Sequence, residues 1–206
     1  MFAVREGRIG FQRLLTYAFN MLVKKIEIVL FLAIGLVLTG HAVITPALMV
    51  LIFVTNDFLS MSLTTDRASP APSPSRWRMH NITAAAIVLG LCKLAFSTTV
   101  LAIGKFRLGF AAGELQTLAL VVLVFGNQAV MFVLRERRPM WTSRPGRWVL
   151  ASSAAGIALV TALALAGILM EPLPWRVLAA VFVAATGFAL ILDRIKLPVT
   201  AAFKVE

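Results

Sequence analysis

Six stretches of this chain are each long and apolar enough to cross a bilayer, and this constrains the fold more than any single motif. A spanning helix needs roughly 20 mostly apolar residues. Runs of that kind lie at 18–40, 43–63, 82–104, 116–134, 148–170 and 174–192. They predict an all-α fold: a polytopic transmembrane helical bundle of six helices. Hydrocarbon offers no partner to backbone polar groups, so spanning segments must satisfy them internally. An apolar fraction of 60% and a mean hydropathy of +0.90 exclude an ordinary soluble domain, whose surface must be polar. Arg5, Arg8 and Arg13 precede the first run, and Lys24, Lys25 and Glu27 interrupt it, with no small-residue cleavage pattern. That run therefore reads as structure rather than as a removable signal peptide.

The connections between the runs are short except for one, "TTDRASPAPSPSRWRMHN", where Pro70, Pro72 and Pro74 favour an extended, solvated strand. The expected organisation is an N-terminal cytoplasmic helix extension at 1–17, a first membrane hairpin at 18–63 and a Pro-rich cytoplasmic loop at 64–81. A four-helix supporting membrane region follows at 82–192, then a cytoplasmic tail at 193–206. The formal net charge of +11 is accounted for by topology. With both termini cytoplasmic, fourteen of the twenty Lys and Arg residues fall on the inner side, and only Lys105, Arg107 and Arg176 fall outside. Such a bias orients membrane proteins and leaves no need for a nucleic-acid partner. "RERRPMWTSRPGRW", with Trp141 and Trp148, fits the same inner boundary. The single cysteine, Cys92, lies within an apolar run, where a small buried thiol is its plain role.

Against this background the informative residues are the polar ones inside the spans. In "VTNDFLSMSLTTDR" an adjacent Asn56 and Asp57 interrupt the second run. Asp57 lies about six residues from its inner end, on the order of 9 Å below the surface at 1.5 Å per residue, too deep for an Asp side chain to reach water. A charged Asp near the centre of a lone helix costs roughly 2.5–3.5 kcal/mol, a penalty accepted where the group faces an ion, a cavity or a counter-charge. Thr55 and Asn56 add oxygen ligands beside it, and Pro46 removes a backbone donor in the same helix, the pattern of a broken ion-coordinating helix.

Glu27 is a second carboxylate in the first run, with Lys24 three residues earlier on the same helical face and available for an ion pair. Lys24 and Lys25 stand close enough to the inner surface to snorkel as anchors. Lys93 falls in the middle of the third run, too far from either surface to escape, and needs an acid of the first hairpin or a wet crevice. Asn127 and Gln128 form a further polar pair in the fourth run, where interhelical hydrogen bonding is their default. "SSAAG" at 152–156 is a small-residue contact face. His41, at the outer end of the first hairpin, has no visible metal partners.

The order "REGRIGFQRLLTY", an apolar hairpin, "TNDFLSMSLTTDR", the stretch "SPAPSPSRW" and then "GNQAVMFVLRERRPMWTSRPGRW" resembles the C-terminal membrane half of P-type cation-transporting ATPases. The resemblance is nearest to the plasma-membrane proton-pump branch. It covers nearly the whole chain, corresponding to that family's fifth through tenth membrane helices. It implies that Asp57, following Asn56, binds the transported proton or cation, with Asn56, Glu27 and Thr55 as further ion-binding candidates. Lys93, Lys24, Asn127 and Gln128 would then supply counter-charge or polar support. Phe58 stands where many relatives have Gly, and plant-type proton pumps have an arginine near the position of Glu27. A fifth-helix glutamate is instead the pattern of other cation pumps.

The family's "DKTG" phosphorylation loop, "TGE" actuator motif and "GDGxND" hinge motif are absent from the sequence. The chain by itself is therefore expected not to hydrolyse ATP and to need no cofactor, ATP and Mg2+ belonging to the complete pump. The reading is of a fragment whose partners are the lipid bilayer, the transported ion and the missing N-terminal half, in a bacterial-type plasma membrane. From another class, a stand-alone channel, secondary transporter or accessory membrane subunit fits the same composition.

Overall fold

The computed structural model describes residues 2–63, 79–136 and 139–203. The described residues form six helices and no strand: α1 (Phe2–Thr39), α2 (Pro46–Leu63), α3 (Met79–Phe106), α4 (Ala112–Arg135), α5 (Arg147–Ala166) and α6 (Trp175–Ala202). The expected extended loop at 64–81 lies outside the described residues apart from its last three positions, which open α3.

Four helices, α3 to α6, are long and apolar enough to cross a membrane. The two others differ from the sequence expectation for physical reasons. Lys24, Lys25 and Glu27 divide α1, so its uninterrupted apolar part is confined to its C-terminal turns. The apolar part of α2, Pro46–Ser62, is short and ends at the edge of the described residues.

The helix bounds reflect local chemistry. Helix α5 stops at Ala166 rather than near 170 because Gly167 takes up the left-handed conformation at φ 68°. The Ile168 N–H then closes onto Leu163 O at 3.2 Å, a turn that ends helices wherever a residue without Cβ permits it. Helix α6 continues past 192 to Ala202 even though Pro198 lies inside it. Its charged residues Asp193 and Lys196 are buried against α4 and the segment after it, which holds the extra turns in place.

Helix α4 is the axis of the bundle and packs against each of the other five helices. A helix apolar on every side is stable only when surrounded, and here an unbroken run from Thr117 to Gln128 is buried. Helix α1 lies mainly along α3, whereas α2 lies along α4 and α5, so the two helices of the first hairpin make little direct contact. Small residues set the closest approaches. At Gly90 of α3 an added Cβ would sit 3.1 Å from Ile26 Cγ2 and 3.4 Å from Val23 O of α1. Aromatic pairs join α6 to its neighbours, Phe96 stacking on Phe188 at 4.6 Å and Phe125 meeting Phe182 edge-on at 5.9 Å.

Candidate ion site

The buried polar groups around Glu27 come from α1, α3 and α4. On α1, Asn20, Lys24 and Glu27 follow at intervals of four and three residues, and all three are buried. On α3, Leu89, Lys93, Ser97 and Leu101 form a stripe spaced by four, each fully shielded from solvent. Packing α1 on α3 brings these stripes together: Glu27 and Lys93 form an ion pair with no exposure on either side chain. Ser97 Oγ donates to Glu27 Oε1 at 2.6 Å. From α4, Asn127 Oδ1 accepts a hydrogen bond from Lys93 Nζ. Gly126, beside Asn127, packs against the lysine stem, where even a Cβ would lie in ordinary contact at 3.5 Å from Lys93 Cε.

The structure thus pairs Glu27 with Lys93 rather than with Lys24. Lys24 also departs from its expected place as an interfacial anchor: it is 3% exposed, and its Nζ donates to Ser60 Oγ of α2 at 3.2 Å. The serine of the opposite helix supplies an oxygen within the bundle, so the side chain turns inward. The next residue, Lys25, is exposed and lies over the Phe53 ring at 5.1 Å. Lys24 remains within electrostatic reach of Lys93, Asp57 and Glu27.

Helix α2 divides the expected site residues between two faces. Thr55, Asn56, Leu59 and Ser60 are buried, while Phe53, Val54, Asp57, Phe58 and Met61 are exposed. Asp57 therefore lies on the outer surface of this chain, set in an apolar face, and does not join Glu27 in a common carboxylate pair. The Thr55 hydroxyl donates back to Leu51 O at 2.8 Å. Asn56 Oδ1 is buried without a hydrogen-bond partner. On α4, Gln128 is buried with both amide atoms unpartnered, facing Gly156 of the small-residue face on α5. The serines of that face divide similarly, Ser153 buried and Ser152 donating to Ser62 Oγ at 2.9 Å.

Ser60, Ser97 and Asn20 were not singled out from the sequence. Their spacing carried the signal: Ser97 is four residues after Lys93, Ser60 four after Asn56, and Asn20 four before Lys24. A second buried charge cluster was missed because it lies at 193–196, just beyond the last apolar run, where a cytoplasmic tail was expected and α6 in fact continues. Lys196 Nζ donates to Val133 O at 2.9 Å, to Glu136 O at 2.8 Å and to Asp193 Oδ1 at 2.7 Å. Asp193 in turn accepts from Met140 N at 3.2 Å. No group of His, Cys, Asp and Glu among the described residues is arranged to hold a resident metal ion.

No family model matches the chain. Over 205 residues, 99% of its length, it is 28% identical to a protein of Methanocaldococcus jannaschii that bears the name "Putative cation-transporting ATPase MJ1226". The chain spans 26% of the length of that relative. A bundle of apolar, membrane-length helices with this likeness along its whole length fits the membrane region of a cation transporter.

Proposed function

We propose that this chain is the ion-translocating membrane region of a P-type cation ATPase, with Asp57 as the residue that takes up the transported proton or cation. The observation that carries the reading is the position of Asp57: a carboxylate on an apolar helix face, beside buried Thr55 and Asn56 and within electrostatic reach of Lys24. A carboxylate there is tolerated only if something covers it or charges against it, as an ion or a further helix would. The likeness to a relative named as a cation-transporting ATPase supports the same assignment. All six helices would then cross the plasma membrane with both termini in the cytoplasm.

In this reading the chain supplies the ion path, while phosphorylation, nucleotide binding and actuation come from other segments, where ATP and Mg2+ would bind. The test is to supply those segments from a relative, reconstitute both parts in liposomes, and measure vanadate-sensitive ATP hydrolysis with ion uptake. Hydrolysis that appears only when both parts are present, and uptake that is lost with Asp57→Asn, are the expected results. Undiminished uptake by the Asp57→Asn protein would remove the assignment.

A further inference from the structure

The Glu27 carboxylate has the surroundings of a cation site, and it is already filled. One oxygen accepts from Ser97 and the other pairs with Lys93, whose ammonium also donates to Asn127. Glu27, Lys93, Ser97 and Asn127 are all fully shielded from solvent. The Glu27 carboxylate and the Asn127 amide oxygen, from two helices, meet at the Lys93 ammonium and are oxygen donors of the kind a hard cation accepts, while Ser97 holds the other carboxylate oxygen. Here a tethered ammonium occupies the place among them.

We propose that Lys93 is a resident cation that closes a latent monovalent-cation site formed by Glu27 and Asn127, with Ser97 orienting the carboxylate. The Glu27–Lys93 pair is itself neutral, and the nearby Lys24, held on Ser60 Oγ at 3.2 Å, adds positive rather than negative charge, so a further mobile cation would leave an unbalanced buried charge. Glu27 is therefore withdrawn from cargo binding, and Asp57 is left as the carboxylate free to exchange an ion. Resting on the function proposed above, this assigns the transport site one exchangeable cation charge rather than two. The packing fits a permanent occupant, because Gly126 packs against the lysine stem and Leu89 and Leu101 close the stripe on either side.

Substituting Lys93→Met empties the place while keeping the apolar stem volume, leaving Glu27 with a net charge that a small monovalent cation can balance. The probe is Na+, compared with N-methylglucamine at equal ionic strength, on the purified 206-residue chain in detergent. The readout is the midpoint of thermal unfolding. Wild type is expected to show no Na+ dependence that Glu27→Gln removes. Lys93→Met is expected to gain a Na+-dependent rise of about 2 °C or more, since a ligand that binds only the folded state stabilises it. The rise should vanish in Lys93→Met/Glu27→Gln.

A Lys93→Met protein whose midpoint ignores Na+, or whose Na+ response survives the added Glu27→Gln, overturns the proposal. So does a Lys93→Met chain that is unfolded in both media, whether or not the double variant folds, because the place would then not accept a mobile ion. All variants are also measured with Asp57→Asn. The Glu27-dependent response should persist there, which separates this inference from the role of Asp57.

Discussion

Asn56 and Asp57 are adjacent in sequence yet fall on either side of the edge of the buried face of α2: Asn56 is 6% exposed within the bundle, whereas Asp57 lies on its outer surface. Successive helical residues are separated by about 100°, and the buried face of α2, which takes in Thr55 and Asn56, ends before Asp57. The dipeptide therefore marks a boundary. One amide is held against the chain's own helices, and one carboxylate is offered to whatever lies outside them.

This placement predicts that Asp57→Asn leaves the bundle intact. The side chain is exposed, so its replacement should shift stability by no more than about 0.5 kcal/mol, the usual range for surface positions. Thermal unfolding in detergent checks this. A loss of several degrees would mean that the carboxylate supports the fold rather than an ion.

Asn56→Leu is expected to be tolerated as well. Asn56 Oδ1 is buried without a partner, and an orphaned polar group costs on the order of 1–3 kcal/mol. An apolar side chain of similar size should hold or raise the unfolding midpoint in detergent, and an Asn56→Leu protein less stable than wild type would show that the amide supports the fold.

The helical character of the chain was legible because run length and hydropathy in hydrocarbon leave little choice. Lys93 was legible as a charge in need of an acid, since its depth excluded both surfaces. Which acid it meets was not legible. Lys24 shares a helix face with Glu27 and satisfied every local rule, but α3 packs along α1 and brings Lys93 to the same carboxylate. Pairings between helices depend on rotation about each helix axis, which one-dimensional spacing constrains only through the buried stripe. The stripe Leu89, Lys93, Ser97, Leu101 shows that Ser97 belonged with Lys93. Burial of Lys24 on Ser60 was hidden for the same reason, because its partner lies on another helix.

The α1–α3 contact that presents Glu27 to Lys93 depends on Gly90. A Cβ there meets Ile26 at 3.1 Å and the Val23 carbonyl at 3.4 Å. Gly90→Val should therefore push the helices apart and cost about 1–3 kcal/mol, the range for overpacking. Gly90→Ala should cost less because Ile26 can shift. Comparing the two unfolding midpoints checks the steric ordering, and equal midpoints would show that the interface does not limit stability.

The Asp193–Lys196 pair makes the strongest prediction about the fold itself. The last carbonyls of a helix have no intrahelical donor and must be satisfied from outside. At the C-terminus of α4 that donor is Lys196, reaching Val133 O and Glu136 O while paired to Asp193, which also receives the Met140 N–H. One buried lysine thus ties α6 to the end of the central helix and to the segment leading into α5. Lys196→Met removes the donor and leaves Asp193 as a buried carboxylate without its cation, and breaking such a pair typically costs about 3–5 kcal/mol. Asp193→Asn/Lys196→Met removes both charges and should recover part of that loss, although the α4 carbonyls remain without their donor. The expected order of unfolding midpoints is wild type, then the double variant, then Lys196→Met. A double variant no more stable than Lys196→Met would show that the carbonyl cap, rather than the uncompensated carboxylate, sets the cost.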